Sequence, residues 1–255
     1  MVELKNSQEI EQMRETGRVV AQALQQMKAA AAPGVSLLDL DSVGKKVLDA
    51  AGATSPFLGY HPSWAPSPFP GVVCASVNDA IVHGVPTDQV LQEGDLVSLD
   101  FGAVLNGWAS DAALSFVIGK ASAADQALLD ATEQALMDGI AAAVPGAHIG
   151  DIGYAVDRVA RKGKFGNLED HGGHGIGREM HMDPFVPNQG RRGKGMRLAP
   201  GLTIAIEPMF IAGGNSAYGY DDDGWTIRSL RGGRAAHFEH TIAVTSDGPV
   251  ILTQV

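Results

Sequence analysis

Three stretches from the first half of this chain return in the second half, in the same order. AAAPGVSLLDLDSVGKKV (30–47) parallels AAVPGAHIGDIGYAVDRV (142–159). EGDLVSLD (93–100) parallels PGLTIAIE (200–207), each a glycine followed by a short apolar strand that ends in an acid. SDAALSFVIG (110–119) parallels FEHTIAVTSDG (238–248), each a strand opened by an acid. One such match is easily accidental. Three in register point to an internal duplication and to an α+β fold of two pseudo-symmetric halves, about 1–120 and 121–255, within one domain over 1–255.

Helix and strand signals repeat with the same period. A helix is predicted from Asn6 or Ser7, with Ile10, Met13, Gly17, Val20, Leu24 and Met27 on one face, ended by Pro33-Gly34. A second begins after Ser36, with Asp39 completing a capping box and Val43, Val47 and Leu48 facing inward. Strands are expected over 71–119. The second half predicts a helix from about Ala123 to Ala143 with Leu128, Thr132, Leu136 and Ile140 inward, then one from near Ile149 with Ile152 and Val159 inward, then strands over 171–252.

The duplication pairs acids: Asp100 corresponds to Glu207, and Asp111 to Glu239. Asn106-Gly107 is a two-residue hairpin signal. With that pair at the tip, Asp111 lies opposite Gly102, and Asp100, two residues away, shares its face. The two carboxylates are then diagonal neighbours within joint reach of a small ion. Asp100 follows Leu96, Val97 and Leu99; Glu207 follows Leu202, Ile204 and Ile206. A carboxylate ending a core strand is costly unless paired or metal-bound, and four converging carboxylates need a cation.

HGGHGIGREMHMDP (171–184) holds three of the eight histidines. No lysine follows as in a phosphate-binding P-loop, and in a strand-turn-strand path His174 and His181 can face one cleft. One imidazole among four carboxylates suits two ions such as Mn, Fe, Co or Zn rather than a structural zinc. His83 has no spacing signature. His240, beside Glu239, points to the opposite face of a regular strand and reads as structural. His61, His148, His171 and His237 earn no role from spacing.

Charge narrows the partners. A formal net charge of −10 disfavours general nucleic-acid binding. The runs Arg191, Arg192, Lys194, Arg197 and Arg228, Arg231, Arg234 read as solvated loops. No apolar stretch is long enough to span a bilayer, MVELKNSQEIEQM has no signal-peptide core, and the single cysteine fits a reducing compartment, so a cytoplasmic location without membrane contact is expected.

Taken together, SVNDAIVHGVP (76–86), LVSLDFG and WASDAALSFVIG (96–119), HGGHGIGREMHMDP, TIAIEPMF (203–210), DGWTIRSL (223–230) and HFEHTIAVT (237–245) resemble the type I methionine aminopeptidases, of the pita-bread fold, over nearly the whole chain. The resemblance implies a curved antiparallel sheet covered by helices. It also implies removal of the N-terminal methionine from nascent proteins whose next residue is small. Asp111 and Glu239 would bridge two divalent metal ions, Asp100 would bind one, and His174 and Glu207 the other. A metal-activated water would be the nucleophile and Glu207 the general base. His181 would stabilise the oxyanion, and His83 would contact the substrate backbone and assist proton transfer. Tyr60, Cys74, Met180 and Trp225 would line the side-chain pocket. The partners implied are nascent polypeptide N-termini near the ribosome, and the enzyme a monomer. HPSWAPSPFPG (61–71) and RGGRAAHFEH (231–240) are longer than the resemblance leads one to expect, which points to altered substrate access, with Phe57 and Trp64 bulking up the rim. The rival readings are an Xaa-Pro peptidase and a non-catalytic binding protein of the same fold.

Overall fold

The structure, a computed structural model, describes residues 2–255. Helix α1 (Ser7–Ala30) is closed at its start by a capping box: Asn6 Oδ1 accepts from Glu9 N at 3.0 Å, and Glu9 Oε2 accepts from Asn6 N at 2.9 Å. Met13, Val20, Leu24 and Met27 are buried along it. Helix α2 (Leu37–Ala51) repeats the device with Ser36 and Asp39 and ends on Gly52 at φ 65°. Next come strands β1 (Cys74–Val77), β2 (Ala80–Val82), β3 (Leu96–Leu105) and β4 (Trp108–Val117).

The second half opens with α3 (Ala123–Ala142) and α4 (Ile149–Gly163). On α4 the fully buried positions include Ile152 and Val156, one turn earlier than the expected Val159, which is only partly buried. Ten strands follow: β5 (Gly166–Asn167), β6 (Gly172–Gly175), β7 (Met182–Pro187), β8 (Thr203–Ile206), β9 (Met209–Ile211), β10 (Tyr218–Tyr220), β11 (Ile227–Ser229), β12 (Ala235–His237), β13 (Glu239–Thr245) and β14 (Gly248–Ile251).

The main sheet is antiparallel in the order β1-β3-β4-β13-β8-β6-β7, with β14 added beside β13. The seam between halves is the β4–β13 pair, and the order outward from it is matched: β3 and β8, then β1 and β6. The duplication extends to single hydrogen bonds. Gly34 N donates to Leu91 O, and its counterpart Gly146 N donates to Leu198 O, both at 2.9 Å; Leu91 N donates to Val35 O and Leu198 N to Ala147 O, both at 2.8 Å. Two smaller sheets, β10-β11-β2 and β12-β9-β5, lie off this plan.

Strand alternation sends one set of side chains to the helices and the other to the opposite face. Leu99 and Phe101 pack in the core with α1 and α2, and Phe101 crosses α2 so closely at Gly44 that a Cβ there would lie 2.8 Å from its ring. Ile204, Ile206, Ile242 and Val244 pack with Leu136, Ile140 and Ile152. Asp100 and Gly102 therefore turn away from the helices, as does Glu239, while His240 turns toward them and pairs its Nδ1 with Thr253 Oγ1 at 2.8 Å. The arginine run 228–234 differs from expectation. Arg228 binds Asp79 and Asp221, and Arg234 donates to Asp125 Oδ2, Asn78 Oδ1 and Gly94 O at 2.7–2.9 Å. Both guanidinium groups thus engage tertiary partners. No helix among the described residues is long and apolar enough to cross a membrane.

Candidate active site

The β3–β4 hairpin turns on Asn106 and Gly107, both at positive φ (53° and 76°), the type that matches strand twist. Its register pairs Gly102 with Asp111 and Asp100 with Ala113, as the two-residue tip requires. Glu239 in turn pairs with the same Ala113 from the other side. Asp100, Asp111 and Glu239 are thereby neighbours on three consecutive strands. Glu207 lies one residue beyond the end of β8, and Asn188 Nδ2 donates to its carbonyl at 2.9 Å. At the seam, Thr241 Oγ1 accepts from Asp111 N at 2.9 Å and donates to Asp111 O at 2.8 Å, clamping the strand that holds Glu239 onto the strand that holds Asp111.

His174 sits on β6 beside a bulge at Gly175. Its Nδ1 bonds Gly175 O at 2.9 Å, which makes Nδ1 the protonated nitrogen and leaves the Nε2 lone pair toward Glu207 Oε1, 3.7 Å away. Possible ligand atoms of Asp111, His174 and Glu239 all lie within 4.8 Å of one another. Asp100 Oδ1, Asp111 Oδ1 and Glu239 Oε1 are buried and have no hydrogen-bond partner. Burial pushes all four carboxyls above their usual range, with added repulsion from their neighbours at Asp111, Glu207 and Glu239; Asp100 is pushed up to about 7. Protons could relieve this repulsion, but they leave the His174 lone pair and the oriented carboxylate oxygens unused. An oxygen-rich donor set with one imidazole fits divalent cations.

A cavity of about 270 Å³ opens on these groups. Its walls include Asp100, Asp111, His174, Glu207 and Glu239 together with His83, His181, Tyr60, Cys74 and Trp225. His181 stacks near His174, with ring centroids 4.4 Å apart. His83 is held at φ 58°, a conformation uncommon for a residue with a side chain, and its buried Nδ1 has no partner. Burial first, then repulsion from His181, pushes His174 down to about 3; burial, then His171 and His181, pushes His83 down to about 4. Cys74 pairs across β1–β3 with Asp100, and burial beside the acids pushes its thiol up, so it acts as an inert apolar wall.

Met180 packs against Phe57, Phe69, Cys74 and Trp225 of the wall, over Gly102, where a Cβ would lie 2.7 Å from its Cε. The expected rim residues Phe57 and Trp64 line the cavity, and so does Phe69. His237, given no role by spacing, is buried with Nε2 3.7 Å from Glu207 Oε2 and 3.9 Å from Glu239 Oε2. Its position two residues before Glu239 could have flagged it, since period-two alternation puts both on one face. Phe69 and Thr241 had no such local signal.

Residues 11–246 match the metallopeptidase family M24. A methionine aminopeptidase 1 of Mycobacterium tuberculosis is 48% identical, over 99% of this chain and 95% of that protein. A methionine aminopeptidase of Aquifex aeolicus is 43% identical over 100% of this chain and 99% of its own length. The crystal structure of a methionine aminopeptidase from Thermotoga maritima superposes with a TM-score of 0.95 at 36% identity, covering 100% of both chains.

Proposed function

The chain belongs to metallopeptidase family M24, and from that footing we infer that it is a divalent-metal-dependent aminopeptidase that hydrolyses the first peptide bond of proteins beginning with methionine. The observation behind this reading is the site itself: four carboxylates and an oriented imidazole at the inner end of a cavity whose other wall is apolar, in a chain 48% identical along its length to a methionine aminopeptidase.

Within that reading both halves form one catalytic unit. Asp100, Asp111, His174, Glu207 and Glu239 would hold the cations, with His237 lying beside Glu207 and Glu239. The ions, of the Mn, Fe, Co or Zn class, supply a Lewis-acidic centre that activates water. Glu207 takes the proton released by that water and returns it to the departing amine. His181 donates to the scissile carbonyl oxygen as it gains charge. His83 contacts the substrate backbone and assists proton transfer.

Phe57, Phe69, Cys74 and Trp225 offer the thioether side chain an apolar wall, with Tyr60 at its edge. The free amino group lies against the acids, which restricts cleavage to the first residue. A small second residue avoids crowding against His83 and His181. The substrates are accordingly nascent protein N-termini met near the ribosome, the enzyme working as a cytoplasmic monomer.

The test is release of methionine from Met-Ala-Ser by metal-free protein with each ion added back. Turnover restored by Mn, Fe, Co or Zn is expected. Faster release from an Xaa-Pro peptide overturns the specificity, and no turnover with any ion overturns the catalytic reading.

A further inference from the structure

An aromatic track leads from the buried wall of the cavity to the protein surface. Trp225 is buried, its Nε1 donating to Ser67 O at 3.0 Å, and this bond ties the segment 61–71 to the wall. That segment is also closed on itself, with Gly59 N donating to Phe69 O and Phe69 N to Tyr60 O, both at 2.9 Å. Trp64 projects from it, with its ring centroid 5.1 Å from Trp225 and 6.5 Å from Tyr220. Trp64 is 56% exposed and Tyr220 55% exposed. Two large aromatic rings that stand side by side in solvent, one of them lining the catalytic cavity, forgo burial that a bound apolar group would supply.

Substrate geometry says which group. In an extended peptide, side chains alternate, and residues one and three stand on the same side, about 6.6 Å apart. With the first side chain against Trp225, the third side chain follows along the same wall toward Trp64, the ring that adjoins Trp225. The second side chain turns away, toward the histidines. We propose that Trp64 and Tyr220 form a subsite for the third residue of the substrate, selective for aromatic or large apolar side chains. This rests on the aminopeptidase reading for the direction in which the substrate runs.

The test pairs Met-Ala-Ser with Met-Ala-Phe. Rates are measured on the peptides themselves. Binding is measured by calorimetry on analogues whose first bond is reduced and uncleavable. The metal-loaded protein is expected to bind the Phe analogue about five-fold more tightly than the Ser analogue, the size of one aromatic contact. The same ratio is expected in kcat/KM, through KM. Trp64→Ala removes the ratio, whereas Trp64→Phe keeps most of it. Equal binding of the two analogues, or a ratio that survives Trp64→Ala, overturns the subsite whatever the turnover. A ratio in binding with no cleavage of either peptide upholds the subsite and counts against the aminopeptidase reading.

Discussion

The two halves solve the same problem with different amounts of chain. In the first, two acids stand on adjacent strands joined by a two-residue turn, so Asp100 and Asp111 are fixed by local pairing alone. In the second, Glu207 and Glu239 are separated by β9 to β12, and their strands meet only because the sheet brings β8 beside β13. The inserted chain supplies four strands of the two small sheets, and it brings Trp225 to the cavity and His237 beside Glu207 and Glu239. The first half is thus close to the minimum needed to place a carboxylate pair. The second keeps that pair and adds the imidazoles His174 and His237 and part of the substrate wall.

The comparison breaks most sharply at the equivalent positions Asp100 and Glu207. If only the second-half acid works as a base, Glu207→Ala lowers kcat by about 10³-fold with an unchanged circular dichroism spectrum. Asp100→Ala appears first as lost metal, read by elemental analysis. Equal losses of kcat at saturating metal would make the halves equivalent.

The next effect is on stability and tests whether the four acids behave as one cage. In the metal-free protein all four are raised in the fold, so the folded state holds protons that an unfolded chain releases near pH 4. The contribution of Asp100 is complete below that pH and is lost as pH rises through about 7, while those of Asp111, Glu207 and Glu239 are lost only well above the usual carboxylate range. Melting temperature of chelated protein should fall from pH 5 to pH 8, and added Mn should abolish the fall. A flat profile without metal would mean that the carboxylates are not in mutual repulsion.

Thr241 tests the seam. Its hydroxyl both donates to and accepts from Asp111 across β4–β13. Thr241→Val leaves two buried backbone groups short of a partner and should cost about 2 kcal/mol in urea unfolding. A loss below a few tenths would show that the seam is held by strand pairing alone. The smallest effect compares the helix starts. Ser36 Oγ accepts from Asp39 N at 3.1 Å, so Ser36→Ala should cost about 1 kcal/mol. In the second half the same place is taken by His148, whose backbone N–H is met by Asp151 Oδ2 at 2.7 Å, so His148→Ala should cost less. Equal costs would show that the backbone half of the capping box is what matters.

What the sequence made legible was what local rules govern. The duplication, the capping boxes and the Asn106-Gly107 register depend on neighbours within a few residues, and from them the facing of Asp100 and Asp111 follows. The structure agrees to the residue on Gly102 opposite Asp111. His174 and His181 were legible as a pair because a single turn joins their strands. His237 was harder to read: its place beside Glu207 depends on β12 pairing with β9, a contact between distant segments that no short window encodes. Phe69 reaches the cavity through the closed loop at 61–71. The arginines at 228 and 234 looked solvated because their partners, Asp79, Asp221 and Asp125, lie elsewhere in the chain.

The seam also has a consequence in time. The strand that closes the cage, β13, is synthesised after β1 to β12, and the carbonyl of Leu252 packs so tightly on Gly17 of α1 that a Cβ there would lie 2.2 Å from it. That contact of the first helix therefore forms only once Leu252 has been made. An incomplete chain can form the Asp100–Asp111 hairpin but lacks Glu239 and the Thr241 clamp. Assembly of the four-acid site is thus a late event that draws on both halves of the chain.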